Sequence, residues 1–262
     1  MATRKINRTS NKRFKKTRSK RQRGGVVPEL PPTNVEEEAL PGLKAESTDD
    51  IVLRIRMGDL SNLDNAFLKE ANLRNLNLEG VSLVGANLTG ADLLDANLKG
   101  ADLQNANLQN ANLKGADLLD ANLTDANLTG ANLNDTDLQY VILIGNKLYR
   151  ANLEGANLQY ASLTDAKLNG ANLTDADLYR ANLEGATLKG ATLKGAKLNN
   201  AILRYLDLRD VDLYGANLTG ADLQGADLQG AYLPGADLQG AYLLNANLQN
   251  ANLQNANLQN AN

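Results

Sequence analysis

Residues 61–80 read SNLDN, AFLKE, ANLRN, LNLEG, and the same five-residue frame runs without insertion or deletion to the ANLQN of residues 256–260. Leu holds the middle of all 40 units, from Leu63 to Leu258, and Ala stands two residues before it in 32 of them. The exceptions at the Ala position are Ser61, Leu76, Val81, Thr136, Val141, Asn146, Leu206 and Val211. A period of five suits neither regular element, because it drifts by about 140° per unit on a helix and changes sheet face at every unit on a flat strand. The chain must therefore turn once per unit. If Ala and Leu both point inward, the residues between one Leu and the next Ala carry a corner outward, and four right-angle corners close a coil of 20 residues. Forty units then predict an all-β solenoid of about ten coils, roughly 48 Å long at the spacing of neighbouring strands. Leu stacks on Leu and Ala on Ala, and Asn, Asp, Thr and Gly fill corners where turn chemistry favours them.

The pattern A(D/N)LXX resembles the signature of the pentapeptide-repeat family and covers 202 of the 262 residues. What the resemblance adds is a hand, since it implies a right-handed quadrilateral β-helix, which periodicity does not assign. It also brings a range of roles, from cyanobacterial proteins to the branch that protects DNA gyrase by imitating DNA. One solenoid hosts many jobs, so fold alone does not select among them.

Composition narrows the chemistry. Apolar residues make up 43% of the chain and are nearly all Ala and Leu; aromatics are 4%, and Trp, Cys and His are absent. Without His and Cys the commonest general base, thiolate nucleophile and zinc ligands are missing. No enzyme activity, cofactor or metal site is expected.

The net charge of −3 hides an asymmetry. Residues 1–25 carry 11 Lys or Arg and no acid, whereas residues 61–262 carry 13 bases and 22 acids. Lys12, Arg13, Lys15, Lys16, Arg18, Lys20, Arg21 and Arg23 form a run too charged to collapse, which predicts a disordered basic tail. Its readings are a nuclear localisation signal, an electrostatic arm for nucleic acid, and a solubilising tail. The run closes on Arg23-Gly24-Gly25 and resembles the basic arms of large DNA-virus proteins. The stretch PELPPTNVEEEALP at 28–41 reads as a semi-rigid spacer, so residues 1–46 make tail and linker. Residues 47–60 make an N-terminal cap: Ser47 or Thr48 before Asp49 and Asp50 is a helix start and Gly58 a stop, while Ile51, Leu53, Ile55 and Met57 also alternate as in a strand. Residues 61–262 are the solenoid. No segment is long and apolar enough for a membrane, and the expected location is cytoplasmic, with nucleus or virion as the alternatives the tail suggests.

Residues 20 apart lie on neighbouring coils, so the surface reads as columns. Tyr140, Tyr160 and Arg180 share one, with Tyr179 beside it, and should stack as rings closed by a guanidinium. Lys147, Arg150, Lys167 and Lys189, next to Tyr149, occupy the opposite face in three coils that place no acid there. Each cluster is a candidate partner site, against the plainer reading of an ordinary solvated surface. Asp95, Asp135 and Asp175 alternate with Gly115 and Gly155, which keeps like charges two coils apart. Asn146, polar at an inward position, is expected to bond nearby backbone, with a local distortion at a binding point as the alternative.

These features favour a noncatalytic scaffold or protein-interaction module with an unidentified protein partner. Two alternatives stay open. One is a DNA-mimic regulator of a topoisomerase, which the acidic body suggests although its section 147–210 holds 9 bases against 7 acids. The other is nucleic-acid binding through the tail. The final ANLQN units, with no charge in the last 25 residues, further predict a homodimer joined end to end at the C-terminal coils.

Overall fold

A computed structural model describes residues 46–262; the basic run from Lys12 to Arg23 lies outside the described residues. The helix reading of residues 47–60 holds and the strand reading does not. Helix α1 spans Thr48–Arg56. The Ser47 hydroxyl accepts from the Asp50 backbone N–H at 3.2 Å, and the Asp50 carboxylate accepts from the Ser47 N–H, which makes a capping box. Ile51 and Ile55, one helical turn apart, are buried, whereas Leu53 is 59% and Met57 79% exposed. The apolar stripe thus follows the helical period, and the apparent alternation is accidental.

From residue 61 onward the backbone forms parallel rungs in which residue i pairs with residue i + 20, from Phe67 with Asn87 to Asp237 with Asn257. The Leu N–H donates to the carbonyl of the Asn or Asp one coil on, as from Leu88 to Asn107 at 2.8 Å. At each corner the Ala N–H donates back to the preceding Leu carbonyl, as from Ala86 to Leu83 at 3.0 Å. The fifth residue of every unit has φ near +60°. Positive φ at the third residue of a turn whose second residue is not positive is the type II pattern, which explains the abundance of Gly, Asn and Asp there.

The Asn or Asp between Ala and Leu has two tasks. Its side-chain oxygen accepts from the backbone N–H two residues on, as Asn87 does from Thr89 at 3.2 Å. The Asn amide also donates to the same position one coil back, as from Asn132 to Asn112 at 3.1 Å. Inside, Leu63 to Leu238 are sealed from solvent. The last coil is more open, and Leu258 is 38% exposed.

Helix α1 closes the first coil. Thr48 Oγ1 donates to the Phe67 carbonyl at 3.0 Å and Arg56 Nη2 to the Asn72 carbonyl at 2.9 Å. In later coils the equivalent carbonyls accept from the preceding Leu N–H, so two α1 side chains replace a missing coil.

Two irregularities interrupt this order. Asn146 is fully buried, yet neither its amide nitrogen nor its amide oxygen has a hydrogen-bond partner, contrary to the expectation that it bonds nearby backbone. Thr136, also polar and inward, is satisfied, donating to the Leu113 carbonyl at 2.8 Å. The second irregularity is a missing rung between Thr187 and Asp207, although rungs on both sides of it, from Asn182 to Ile202 and from Thr192 to Asp212, are intact. Leu206 stands at the inward Ala position beside the gap and is buried. A side chain three carbons larger than Ala overfills the coil and the ladder opens to admit it. Leu76 is also Leu at that position, but it is only partly buried and its rung from Asn77 to Asn97 is intact.

Candidate interaction surfaces

Four faces run along the rod, represented in the first coil by residues 61–65, 66–70, 71–75 and 76–80. Tyr140, Tyr160, Tyr179 and Arg180 lie on the fourth, and the structure brings all four side chains together. Tyr140 and Tyr160 occupy successive corners and stack at 5.0 Å between centroids, 15° between planes. Tyr179 meets Tyr160 edge-on at 5.5 Å and 88°. The Arg180 guanidinium lies 5.9 Å from the Tyr160 centroid and 5.2 Å from that of Tyr179. The corner column has no Gly between Gly100 and Gly220, so the successive large side chains of Tyr140, Tyr160 and Arg180 lie flat against one another. Tyr140 remains 49% exposed, which leaves an aromatic surface with a cation at one end.

On the second face, Lys147 and Lys167 pair across one rung, with Tyr149, Arg150 and Lys189 on the same side. None of these four cations has a carboxylate partner among the described residues, whereas Lys69, Arg74, Lys197, Arg204 and Arg209 do. One coil beyond Lys189, Arg209 holds Asp207 through two hydrogen bonds of 2.7 and 2.6 Å. That contact holds the Asp207 carboxyl below the usual range, and the Lys189 charge adds to the effect. Where the rung is missing, a cleft of about 400 Å3 is lined by Lys189, Gly190, Asp207, Arg209 and Asp210.

A third cluster escaped the column reading. Lys194 lies 5.5 Å from the Tyr214 ring centroid, and Tyr214 stacks with Tyr232 at 6.2 Å. The two tyrosines are 18 residues apart, as are Arg204 with Asp222 and Arg74 with Asp92. The fourth residue of one unit therefore reaches the second residue of the unit one coil on. A search at spacing 18 as well as 20 finds these pairs in the sequence.

Among the described residues no group of three His, Cys, Asp or Glu could hold a metal ion, and no helix is long and apolar enough to cross a membrane.

The family model described as pentapeptide repeats matches the chain in overlapping stretches from residue 61 to residue 262. The chain belongs to the pentapeptide repeat family. A search of curated proteins gives no match. Among solved structures, this pentapeptide-repeat protein is similar to HetL, a pentapeptide repeat protein involved in heterocyst differentiation regulation in the cyanobacterium Nostoc. The two are 35% identical over 79% of this chain and 93% of HetL, with a TM-score of 0.38. A pentapeptide repeat protein of the Arabidopsis thaliana thylakoid lumen is 32% identical over 44% of this chain and 69% of its own, with a TM-score of 0.27. QnrB1, a plasmid-mediated fluoroquinolone resistance protein, is 20% identical over 68% of this chain and 92% of its own, with a TM-score of 0.33.

Proposed function

We propose that this pentapeptide-repeat protein is a noncatalytic module that holds protein partners on side-chain columns of a rigid rod. The observation that carries the reading is the cluster of Tyr140, Tyr160, Tyr179 and Arg180, which presents rings and a guanidinium at fixed spacing on a backbone locked by rungs. Aromatic residues and Arg are the side chains that most often anchor protein interfaces. Residues 47–60 serve as the cap and residues 61–262 as ten right-handed coils, with residues 1–46 as a basic arm and spacer in a cytoplasmic protein. The test compares full-length baits that differ only in Tyr160→Ser and Arg180→Gln. Proteins retained by the parent and released by the double variant support the reading; identical retention by both removes the cluster as a partner site.

The charge of residues 1–25 favours a second, electrostatic contact with nucleic acid. Binding of the full chain to DNA or RNA should fall steeply with salt, as expected for about ten phosphate contacts. Deleting residues 1–25 should abolish it, and retained affinity would move the site onto the rod.

The uncharged ANLQN units of residues 246–260 support end-to-end pairing with a second copy. Light scattering should report a dimer at micromolar concentration that Leu253→Lys with Leu258→Lys converts to a monomer. A monomeric parent refutes it.

A further inference from the structure

Several irregularities, scarce elsewhere in the described rod, converge on the second face between Asn146 and Arg209. The missing rung lies here, and so does the cleft beside it. Among the described residues, the buried side-chain atoms without a hydrogen-bond partner are Asn146 Nδ2 and Oδ1, Asn169 Oδ1 and Thr187 Oγ1. All belong to this face, in three successive coils. The same coils carry the unpaired Lys147, Arg150, Lys167 and Lys189. A repeat that satisfies nearly every polar group elsewhere leaves them unsatisfied where its surface is cationic. Buried polar groups ordinarily have partners, so their concentration beside one face sets that face apart from the rest of the rod.

The chemistry of the face defines the ligand. On this face no acid occurs between Glu70 and Asp207. The Gly190 N–H, which by register should donate to the Arg209 carbonyl, makes no backbone hydrogen bond and lies beside Lys189. The surface is thus rich in donors and positive charge and calls for an anionic, acceptor-rich partner.

Its width chooses between classes of polyanion. Asp165 and Glu184 stand on the first face and Glu154 and Asp175 on the third, so acids border the positive strip on both sides. One face offers about three extended residues, roughly 10 Å. A duplex, whose major groove alone is about 12 Å wide, would press phosphates against the bordering acids. An extended peptide would not. Successive coils advance by about 4.8 Å and alternate side chains of an extended peptide by about 6.7 Å, so the three cationic coils, which span about 9.6 Å along the axis, face two outward carboxylates within reach of flexible Lys and Arg side chains. Asp207, already engaged by Arg209, and Asp210 end the strip.

We propose that the second face from Lys147 to Lys189 binds an extended acidic segment of a partner protein. The proposal rests on the interaction-module reading and names the partner's chemistry.

The test uses the full chain and a fluorescein-labelled Glu-rich decapeptide, with its Gln counterpart and a single-stranded thymidine oligomer as comparisons. Residues 1–25 also attract anions, so the informative contrast is between chains with identical tails. Lys147→Gln, Lys167→Gln and Lys189→Gln together should weaken peptide binding by about tenfold, the exposed ion pairs each contributing modestly. Lys99→Gln with Lys114→Gln, on other faces, should leave it unchanged. In the parent, the peptide should slow amide exchange across residues 186–190 and, carrying a photoactivatable group, crosslink to the second face. If the triple variant fails to fold, exchange and crosslinking in the parent decide alone. Equal affinity of all three chains, or crosslinks confined to residues 1–25, overturns the proposal. Stronger protection of residues 186–190 by the thymidine oligomer overturns the peptide class. A partner held by Tyr160 and Arg180 while the second face stays inert defeats this inference and leaves the module reading standing.

Discussion

Asp125 folds its side chain over Gly145, one coil on, so that a Cβ at Gly145 would stand 2.5 Å from Asp125 Oδ1. Asp135 and Gly155 repeat the relation at 2.7 Å. The alternation of Asp with Gly in corner columns, which keeps like charges apart, is therefore also a matter of space. Gly145→Ala and Gly100→Ala make a controlled comparison, since φ is +69° and +64° but a Cβ at Gly100 would meet nothing within 4 Å. Both should lose about 1 kcal/mol for the left-handed backbone, and Gly145→Ala more than that. Urea unfolding with Asp125→Gly as second mutation should remove the excess; equal losses in the two single variants would falsify the steric account.

Asn146→Ala should stabilise the rod by about 1–3 kcal/mol, because it deletes an amide whose two polar atoms are buried without partners. Ala is also the usual residue at this position. A lower denaturation midpoint for the variant would mean that the amide has a partner in solution.

Leu206→Ala should let the rung between Thr187 and Asp207 close. The expected sign is slower amide hydrogen exchange at Leu188 and Gly190, whose N–H groups lack backbone acceptors now, with exchange elsewhere unaltered. Unchanged exchange at both amides would clear Leu206 of opening the coil.

The seating of α1 should depend on pH through Asp59. The Ser61 hydroxyl and N–H, followed by the Arg54 guanidinium, lower its pKa from 3.8 to about 2. A carboxyl depressed by folding stabilises fully above its unfolded value and ceases to do so as pH falls through the folded one. Protection of the Ile55 amide should hold above about pH 4 and decline toward pH 2. Asp59→Asn should flatten that decline.

Period, inward Leu and Ala, helical cap and tyrosine stack were legible because each depends on spacing along the chain alone. Tyr140 must meet Tyr160 once residue i lies under residue i + 20. The missing rung was not legible, because its cause is the room available around a side chain. Leu206 and Leu76 look alike as letters, but the first is enclosed between full coils and the second lies at the rod's end, against the α1-capped core. The diagonal pairs were missed for a geometric reason: a long fourth residue can reach across the face as well as along the axis, so Arg204 meets Asp222, two positions short of the residue directly above it. Asn146 defeated a sound general rule, since nothing in its neighbouring units indicates that the backbone around it has no donor or acceptor to spare.

Helix α1 also has a consequence for how the chain finds its register. Units that share Leu, Ala and Asn at the same places can pair with one another at many offsets, and a wrong offset would sacrifice few contacts. What cannot be duplicated is the bond from Thr48 to the Phe67 carbonyl and that from Arg56 to the Asn72 carbonyl, since only one segment supplies those donors. Winding that begins at this junction inherits a correct count, and each finished coil becomes the template for the next. Nucleation in the middle of the repeat carries no such reference. The short helix thus offers an origin from which the solenoid can be numbered during folding.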